Sequence, residues 1–500
     1  MKQFYFLLVI LSFVSIKAQN LGLDTTFGNN GKTILSVNSA PIKVFFENNK
    51  YILVYHNGAS SLNYDGTLNT AFGNNGNITF NTENINENYL AKGSKIINGN
   101  IYVYGQISTT SNANKDCFVI KISSSGNYDS SFGINGKSIF NFGENEEVIN
   151  DLNINSLNQL YIVGTRNSRI FLSKINSNGS VNTDFDSNGY KIYPLNQFES
   201  SVGVNLFFQS DKILLVGSST YPANVPNNSK YLILVKVDEN GILSSSFGVN
   251  GIKEVVLSSN TSCGFSITKS FFKDDNQLYF ELLESCSFVL QSNRLYKYNI
   301  SDNLLSNLNG LPYGDVKFEI NIENKILITG SDRCNFGACG RNYVIHKKNS
   351  DGTPDLNFNT TGSYSYRFGP VSDDYSSTFY SHDNGKILLA GYTTSNGNVG
   401  VSNTPGLGII RITNTPLNTD NFNDNKLFKI YPNPANSLFY IENPLQKDIG
   451  KIEVIDINGR IVNIFANAEK IINVETLESG VYFVKIYYDN KFNIQRLIKT

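Results

Sequence analysis

The chain has 500 residues, with 41 Lys+Arg against 42 Asp+Glu and a net charge of −1. That balance, with basic residues scattered rather than clustered, excludes a bulk electrostatic case for nucleic acid or for an anionic membrane surface. The length is too great for one compact core, and 34 Phe and 28 Tyr among abundant Ile, Val, Asn and Gly predict an all-β chain of short strands.

Taken in order, residues 1–18 read as a signal peptide. Met1-Lys2 gives a basic start, Phe4–Ile16 is almost wholly apolar, and Ala18 is a small residue suited to the position before cleavage. The apolar run is too short to span a bilayer comfortably, and no later stretch is longer, so no transmembrane segment is expected in the mature chain.

Residues 19–422 carry a repeat. LDTTFGNNG (Leu23–Gly31) returns as LNTAFGNNG (Leu68–Gly76), YDSSFGING (Tyr128–Gly136), VNTDFDSNG (Val181–Gly189), LSSSFGVNG (Leu243–Gly251) and PDLNFNTTG (Pro354–Gly362). The step from Phe247 to Phe358 is about double the others, which predicts a worn copy at Leu304–Gly310 with Leu308 in the Phe place. A last trace lies at Leu417–Phe422. These positions bracket seven units. Between motifs each unit holds a short strand, a second strand, a regular strand such as DKILLVG (211–217) and a strand closing in a polar turn such as IFLSKINSNG (170–179). The KILLVG-type runs are apolar on both faces, as in a strand covered on both sides. Four antiparallel strands repeated seven times predict a seven-bladed β-propeller, in which sheets packed face to face around an axis bury both faces of each. The sixth unit is short of a first strand. Within the motif, Gly is expected to supply positive φ, Phe to plug neighbouring blades, and Asn or Asp to satisfy turn backbone.

Other candidate sites are sparse. Of five Cys, Cys334 and Cys339 flank the loop CNFGAC, and Cys263 and Cys286 fall in neighbouring strands, so each pair is placed for a disulfide; Cys117 is left over. No ligand spacing joins the Cys to His56, His346 and His382, so no zinc site is expected. Asp184-Phe185-Asp186-Ser187-Asn188-Gly189 opens like a calcium loop, but its twelfth position is Leu195 where a bidentate Glu belongs. No cofactor, metal or catalytic residue is expected. Acidic pairs at Glu146-Glu147, Asp274-Asp275 and Asp373-Asp374 fall in turns.

Residues 423–426 form an Asn/Asp linker, and 427–500 a separate module. Its strands Phe439–Glu442, Lys451–Asp456 and Val481–Tyr488 alternate, with Asn458-Gly459 as a hairpin turn, predicting a small immunoglobulin-like β-sandwich near the lower limit for an independent core. Pro432 and Pro434 block pairing before the first strand, and Gly480 is expected to allow close packing or a bend.

Two resemblances follow. The motif, a KILLVG strand and a strand ending in a D-G or N-G turn resemble the delta-60 repeat of bacterial propeller-like secreted proteins, over about Leu21–Phe422. The chain departs from that pattern at Phe185-Asp186 and Leu304–Gly310. The C-terminal module resembles the type A C-terminal sorting domain of the Bacteroidetes type IX secretion system. The carriers are Tyr431-Pro432-Asn433-Pro434, the Asp456-x-Asn458-Gly459-Arg460 turn, Leu477-x-x-Gly480-Val481-Tyr482, and a last strand ending Leu497-Ile498-Lys499. The resemblance implies the type IX machinery as a partner and passage through the periplasm and outer membrane, to a secreted or cell-surface location.

The expected function is a non-enzymatic binding, adhesion or scaffold module for an extracellular glycan or protein, with Tyr221–Ser229 and Thr393–Pro405 as variable polar loops suited to recognition. The alternative is a polysaccharide hydrolase or lyase with its site in the propeller channel, which needs paired carboxylates or a His and Tyr at the channel mouth.

Overall fold

The computed structural model describes residues 21–37, 39–80, 87–109, 112–143, 147–193, 195, 197–209, 211–220, 230–258, 263–286, 289–310, 313–320, 324–332, 340–369, 372–394, 406–413, 428–443, 448–457, 460–466, 471–488 and 491–500. The expected signal peptide with its cleavage at Ala18, the linker 423–426, the motif trace at 417–422, the loop 221–229, Cys334, Cys339 and Asn458-Gly459 fall outside them. The chain divides into two compact units, Met1–Thr415 and Pro416–Thr500. Both are all-β; among the described residues the only helix is the single turn Asp186–Gly189.

Among its described residues the first unit holds seven small antiparallel sheets. Sheet one runs Pro41–Glu47, Lys50–Tyr55, Gly58–Asn63, Asn77–Thr79, each strand beside the next. Sheets two, three and four repeat that order from Glu87–Ile97 to Lys137–Phe140, from Glu147–Ile154 to Tyr190–Ile192, and from Ser200–Gln209 to Ile252–Ser258. Sheet five comprises Cys263–Phe272, Gln277–Cys286, Val289–Asn299 and Leu304–Gly310, and sheet six Tyr313–Ile320, Ile326–Asp332, Asn342–Lys348 and Ser363–Tyr366. Sheet seven takes Asp374–Ser381, Lys386–Thr393 and Gly406–Thr413 from the far end of the unit, and adds Gly22–Leu23 and Lys32–Leu35 from its beginning. Second strands are buried on both faces, Lys212–Thr220 along all but its two ends. Each sheet packs its first strand on the sheet before it, and the first strand of sheet one packs on that of sheet seven.

The sheets are offset from the sequence repeat by one strand. The short strand after each motif pairs with the strand before the motif, as Asn77–Thr79 does with Gly58–Asn63. The motif therefore joins the third and fourth strands of one sheet and is not a divider between sheets. The same offset sends Lys32–Leu35, which follows the first motif, to Gly406–Thr413 of sheet seven.

What the motif does between sheets follows from its contacts. The Gly73 N–H donates to the Ser125 carbonyl of the next sheet's polar turn (2.9 Å), Gly28 does the same to Asp65 (2.6 Å) and Gly133 to Asn178 (2.7 Å). The preceding Phe27, Phe72 and Phe132 are buried and lie under the turn glycines Gly66, Gly126 and Gly179, where a Cβ would collide with the ring. The motif and the polar turn, separate features in the sequence, form one joint. Gly73 takes φ +53° with the space for a Cβ filled by the Asn77 carbonyl, so a side chain there is excluded twice. Asp186 and Asn359 hold the same left-handed position in the two divergent motifs at φ 53° and 52°, a conformation Asp and Asn tolerate better than other side chains. Asp24, Asp129 and Asn182 accept the N–H two residues on, as expected of turn side chains.

Leu304–Gly310 corrects the expected motif copy. It is the fourth strand of sheet five, reached from Val289–Asn299 by a four-residue turn in place of a motif. Leu308 nevertheless lies against Gly352 of sheet six, through its carbonyl, Cα and Cβ where the motif Phe residues use their rings. Sheet six has all four strands, contrary to the sequence expectation, because the segment assigned to the motif is itself the missing kind of strand.

A second device recurs in the first strands. Six of them carry a β-bulge at the same rung, leaving Ile42, Lys92, Asn150, Val204, Thr268 and Ser377 unpaired. In sheets two, three, four and seven the residue opposite is the glycine ending the KILLVG-type run. A Cβ on Gly164 would stand 1.8 Å from the Val148 carbonyl, so this glycine answers the close approach of the bulged backbone.

In the second unit, Lys429–Tyr431, Leu438–Glu442 and Ile471–Asn473 form one sheet, and Ile461–Ala466, Ile449–Asp456, Gly480–Tyr488 and Lys491–Lys499 a second. Phe428, Phe439 and Ile472 from one side and Ile452, Val484 and Leu497 from the other share a single core.

Candidate functional site

The first strands of sheets one to five and seven line one cavity of about 970 Å³. Its described walls mix half-buried Phe46, Phe271 and Tyr380 with Asn150, Ser270 and Thr268, and carry four lysines, Lys43, Lys92, Lys95 and Lys269. Asp151 is the one carboxylate among the described lining residues, and it is committed to structure. It is 1% exposed, pairs with Lys95 Nζ (2.8 Å), and accepts from Tyr104 Oη (3.3 Å), Asn205 Nδ2 (3.2 Å) and the Leu206 N–H (3.1 Å). The residue after the bulge thus satisfies a backbone N–H of the next sheet. Asn205 does the same for Ser270 (2.9 Å) and Thr378 for Val44 (3.2 Å).

The acidic pairs singled out in the sequence are dispersed, and Glu147, Asp274, Asp373 and Asp374 are bound. Glu147 is fully buried, accepts the Phe142 N–H (2.9 Å) and lies 3.7 Å from Arg166; Glu146 is outside the described residues. Asp374 opens the first strand of sheet seven and accepts the Phe368 N–H (2.9 Å), Ser372 Oγ and Thr393 Oγ1. Burial pushes its carboxyl up, against those hydrogen bonds. Arg341 grips Asp373 with its Nε (2.9 Å) and a terminal nitrogen (2.6 Å) and holds it down to about 2. Asp274 caps the N–H groups of Asn276 and Gln277 in a turn. Asp184, Asp186 and Asn188 are exposed, while Leu195 is in the core of sheets three and four.

A Tyr–His–Arg constellation, missed in the sequence, lies where sheet seven meets sheet one. Tyr51 Oη is 2.6 Å from His382 Nε2, and Arg411, fully buried, donates to Tyr51 Oη (3.2 Å) and to the Tyr64 carbonyl. Arg411 Nε also donates to Asp24 Oδ2 (2.7 Å), which Lys386 approaches at 2.8 Å. The guanidinium stacks over Phe27 and Tyr64 at 4.8 and 4.3 Å. Burial raises the Tyr51 phenol to about 12 despite Arg411, and burial with Arg411 and Lys386 lowers His382 to about 4. Both groups are therefore neutral at pH 7 and hydrogen-bonded to each other. Asp24 would be raised by burial alone, but Lys386, Thr26 and Arg411 outweigh this and hold it well below the carboxylate range. The cluster ties the beginning of the unit to its end. The lone signal in the sequence was Asp24, inside a motif read for its turn.

A second cavity of about 1050 Å³ is lined by the outer strands and motif of sheet two and the polar turn of sheet three. Its lysine, Lys137, is tied to the Phe80 carbonyl (2.7 Å) between the rings of Tyr89 and Tyr128.

Cys263 and Cys286 stand opposite each other in the backbone register of sheet five. Cys117 is buried with a free thiol that burial pushes up.

In the second unit the motif residues form a clasp on the last strand. Asn433 donates to the Arg496 carbonyl (2.6 Å) and accepts the Ile498 N–H (2.8 Å), between the cis bonds Tyr431–Pro432 and Asn433–Pro434. Tyr431 stacks on Tyr440. Ala435 N–H donates to Ile498 and its carbonyl accepts from Thr500 (2.8 and 2.9 Å). Asp456 accepts from Arg460 N–H and Nε (2.9 and 2.8 Å) around the hairpin. Tyr482 Oη donates to the Glu478 carbonyl (2.9 Å), and Lys499 Nζ to that of Thr500. Gly480 pairs with Lys499, but its backbone is not left-handed and a Cβ would meet only ordinary contact, so close packing does not account for it.

These residues fall within 429–500, which match the family model described as the secretion system C-terminal sorting domain. The second unit is a type IX sorting domain. It directs the protein to the outer cell surface or the extracellular space and implies contact with the secretion machinery. No curated protein matches the chain.

Solved structures with similarity include the extracellular domain of a hybrid two-component system from B. thetaiotaomicron, at 10% identity and TM-score 0.36, covering 97% of this chain and 59% of that one. The GH43 endo-arabinanase from Bacillus licheniformis aligns at 11% identity and TM-score 0.31, covering 57% and 96%. The plexin A4 extracellular region aligns at 8% and 0.47, covering 94% and 61%. The chain thus spans under two thirds of the first of these, and at such scores the likenesses carry no argument about activity. Among the described residues, no helix is long and apolar enough to cross a membrane.

Proposed function

We propose that the protein is an exported, non-enzymatic binding module whose recognition site is the cavity lined by the first strands. The carrying observation is the state of the carboxylates. Asp151 in the cavity and Glu147, Asp373 and Asp374 elsewhere each spend their oxygens on backbone, hydroxyl or cationic partners. A general acid or base must instead reach the substrate with an oxygen of suitable proton affinity. The Tyr51–His382 pair, with its phenol raised and its imidazole lowered, is likewise poised against proton transfer near neutrality.

The scaffold we infer is a seven-bladed propeller of delta-60-like repeats. Support comes from seven sheets, first strands gathered around one cavity, and N-terminal strands paired into the last sheet. Two sheets over one core in the sorting domain fit the immunoglobulin-like sandwich. The test is to screen the purified secreted protein against glycans and matrix proteins while assaying for products. Saturable binding without turnover is expected; turnover of a polysaccharide would replace this reading with the hydrolase or lyase alternative.

A further inference from the structure

The cavity has a chemical polarity that its overall composition does not announce. The whole chain is nearly neutral, yet the described cavity wall carries four lysines against the one carboxylate Asp151. Lys95 answers Asp151, and Lys269 stands across the ladder from Glu281. Lys43 and Lys92 remain, and their placement is shared. Lys92 is the unpaired bulge residue of the first strand of sheet two, and Lys43 directly follows the bulge of sheet one. The bulge falls on the same rung of both sheets, and these strands pack side by side, so the two lysines line the cavity from neighbouring sheets, Lys43 with its Nζ 5.8 Å from the centre of the Phe45 ring. Lys92 is exposed and Lys43 half-buried, so both meet solvent. A bulge re-aims the side chains it carries, a common way of presenting a functional group on a rigid sheet.

Resting on the binding-module reading, we infer that the cavity takes an acidic oligosaccharide, its carboxylate or sulfate groups received by Lys43 and Lys92. The rest of the described lining, from sheets one, three, five and seven, fits the rest of a sugar. Half-buried Phe46, Phe271 and Tyr380 supply aromatic surface for the apolar side of a pyranose; Asn150, Ser270 and Thr268 donate to Gly203, Asn205 and Glu281, and their oxygens stand as acceptors for its hydroxyls. An acidic peptide would use the lysines, but it brings fewer hydrogen-bond donors per residue to the oxygens of that wall than a sugar does with its hydroxyls. The site is therefore assigned to glycan.

The experiment is calorimetric titration of the secreted protein with an oligogalacturonate and a sulfated oligosaccharide, against a neutral arabino-oligosaccharide of equal length and a poly-Glu peptide. Binding of at least one acidic sugar is expected, weakening as salt is raised. Lys43→Gln and Lys92→Gln should each weaken it about tenfold, the worth of one charge-assisted hydrogen bond. Lys92→Arg should restore most of the affinity, and Lys191→Glu, outside the cavity, should leave it unchanged. Unchanged melting temperatures keep the comparison free of folding defects. Equal binding of the neutral sugar, indifference to both lysine variants, preference for poly-Glu, or no binding of any probe overturns the inference. Binding of the neutral sugar alone leaves the binding-module reading standing, whereas release of new reducing or unsaturated ends overturns that reading itself.

Discussion

At the residue scale, the buried Asp24–Arg411 pair is the contact with most at stake, because Arg411 is fully buried and Asp24 nearly so. Removing one partner of a buried pair leaves the other charge without compensation, at about 3–5 kcal/mol. Asp24→Asn should therefore lower the stability of the first unit by about that much in chemical denaturation; an unchanged midpoint would show that the pair does not hold the ends together. The histidines set a pH window. Burial, with Arg411 and Lys386 beside His382 and Lys348 beside His346, lowers both from their ordinary 6.5 to about 4. The unfolded chain then binds these protons first. Stability is complete above about 6.5, falls as pH drops through that window, and levels off with respect to these groups below about 4. Melting temperatures between pH 7 and 4 should show the decline, and His382→Gln should flatten it. A decline that begins only below pH 4, where carboxylates such as Asp24 titrate, would contradict the assignment.

At the scale of the element, the motif makes opposite predictions for copies that look alike. Gly73→Ala places a Cβ 2.4 Å from the Asn77 carbonyl at φ +53° and should cost about 1–3 kcal/mol. Asp186→Gly, at the equivalent left-handed position, relieves the Cβ that its sister motifs avoid and should stabilise by up to about 1 kcal/mol. Thermal unfolding of both variants checks the pair; shifts of the same sign would mean that the copies are not equivalent. The fifth sheet shows how far the repeat bends. Its third strand turns back through four residues, with no motif, and Phe247 before it is only half-buried, since no turn glycine covers it. Leu308 keeps the contact with Gly352 from a strand backbone. The contact outlasts the local conformation that elsewhere delivers it.

At the scale of the molecule, export belongs to the second unit and the proposed recognition to the first. Deleting 429–500 removes the sorting domain and should leave the protein in the periplasm, which cell fractionation reads; normal appearance outside the cell would sink the assignment. Within the sorting domain the last strand is held by Asn433 and Ala435 from before its first full strand. A signal at the C-terminus is thereby presented as one edge of a folded module.

The sequence by itself determined the all-β class, the count of units and the sorting domain, because each is written in local, repeated chemistry. Phe and Gly recur where the sheets share the same joint, as at Phe27, Phe72 and Phe132, and Tyr431 to Pro434, Asp456 and Tyr482 act through partners fixed by the strand order. Spacing also pointed to Leu308, but within a motif copy where the structure has a strand. Only the tertiary structure decided where one sheet ends and the next begins, since the pairing of Lys32–Leu35 with Gly406–Thr413 joins residues from opposite ends of the unit. The same holds for Arg411, Tyr51, His382 and the lysines of the cavity. Isolated along the chain they have no spacing to betray them, and they acquire meaning when the ends of the unit meet and bulges in separate sheets fall at one level.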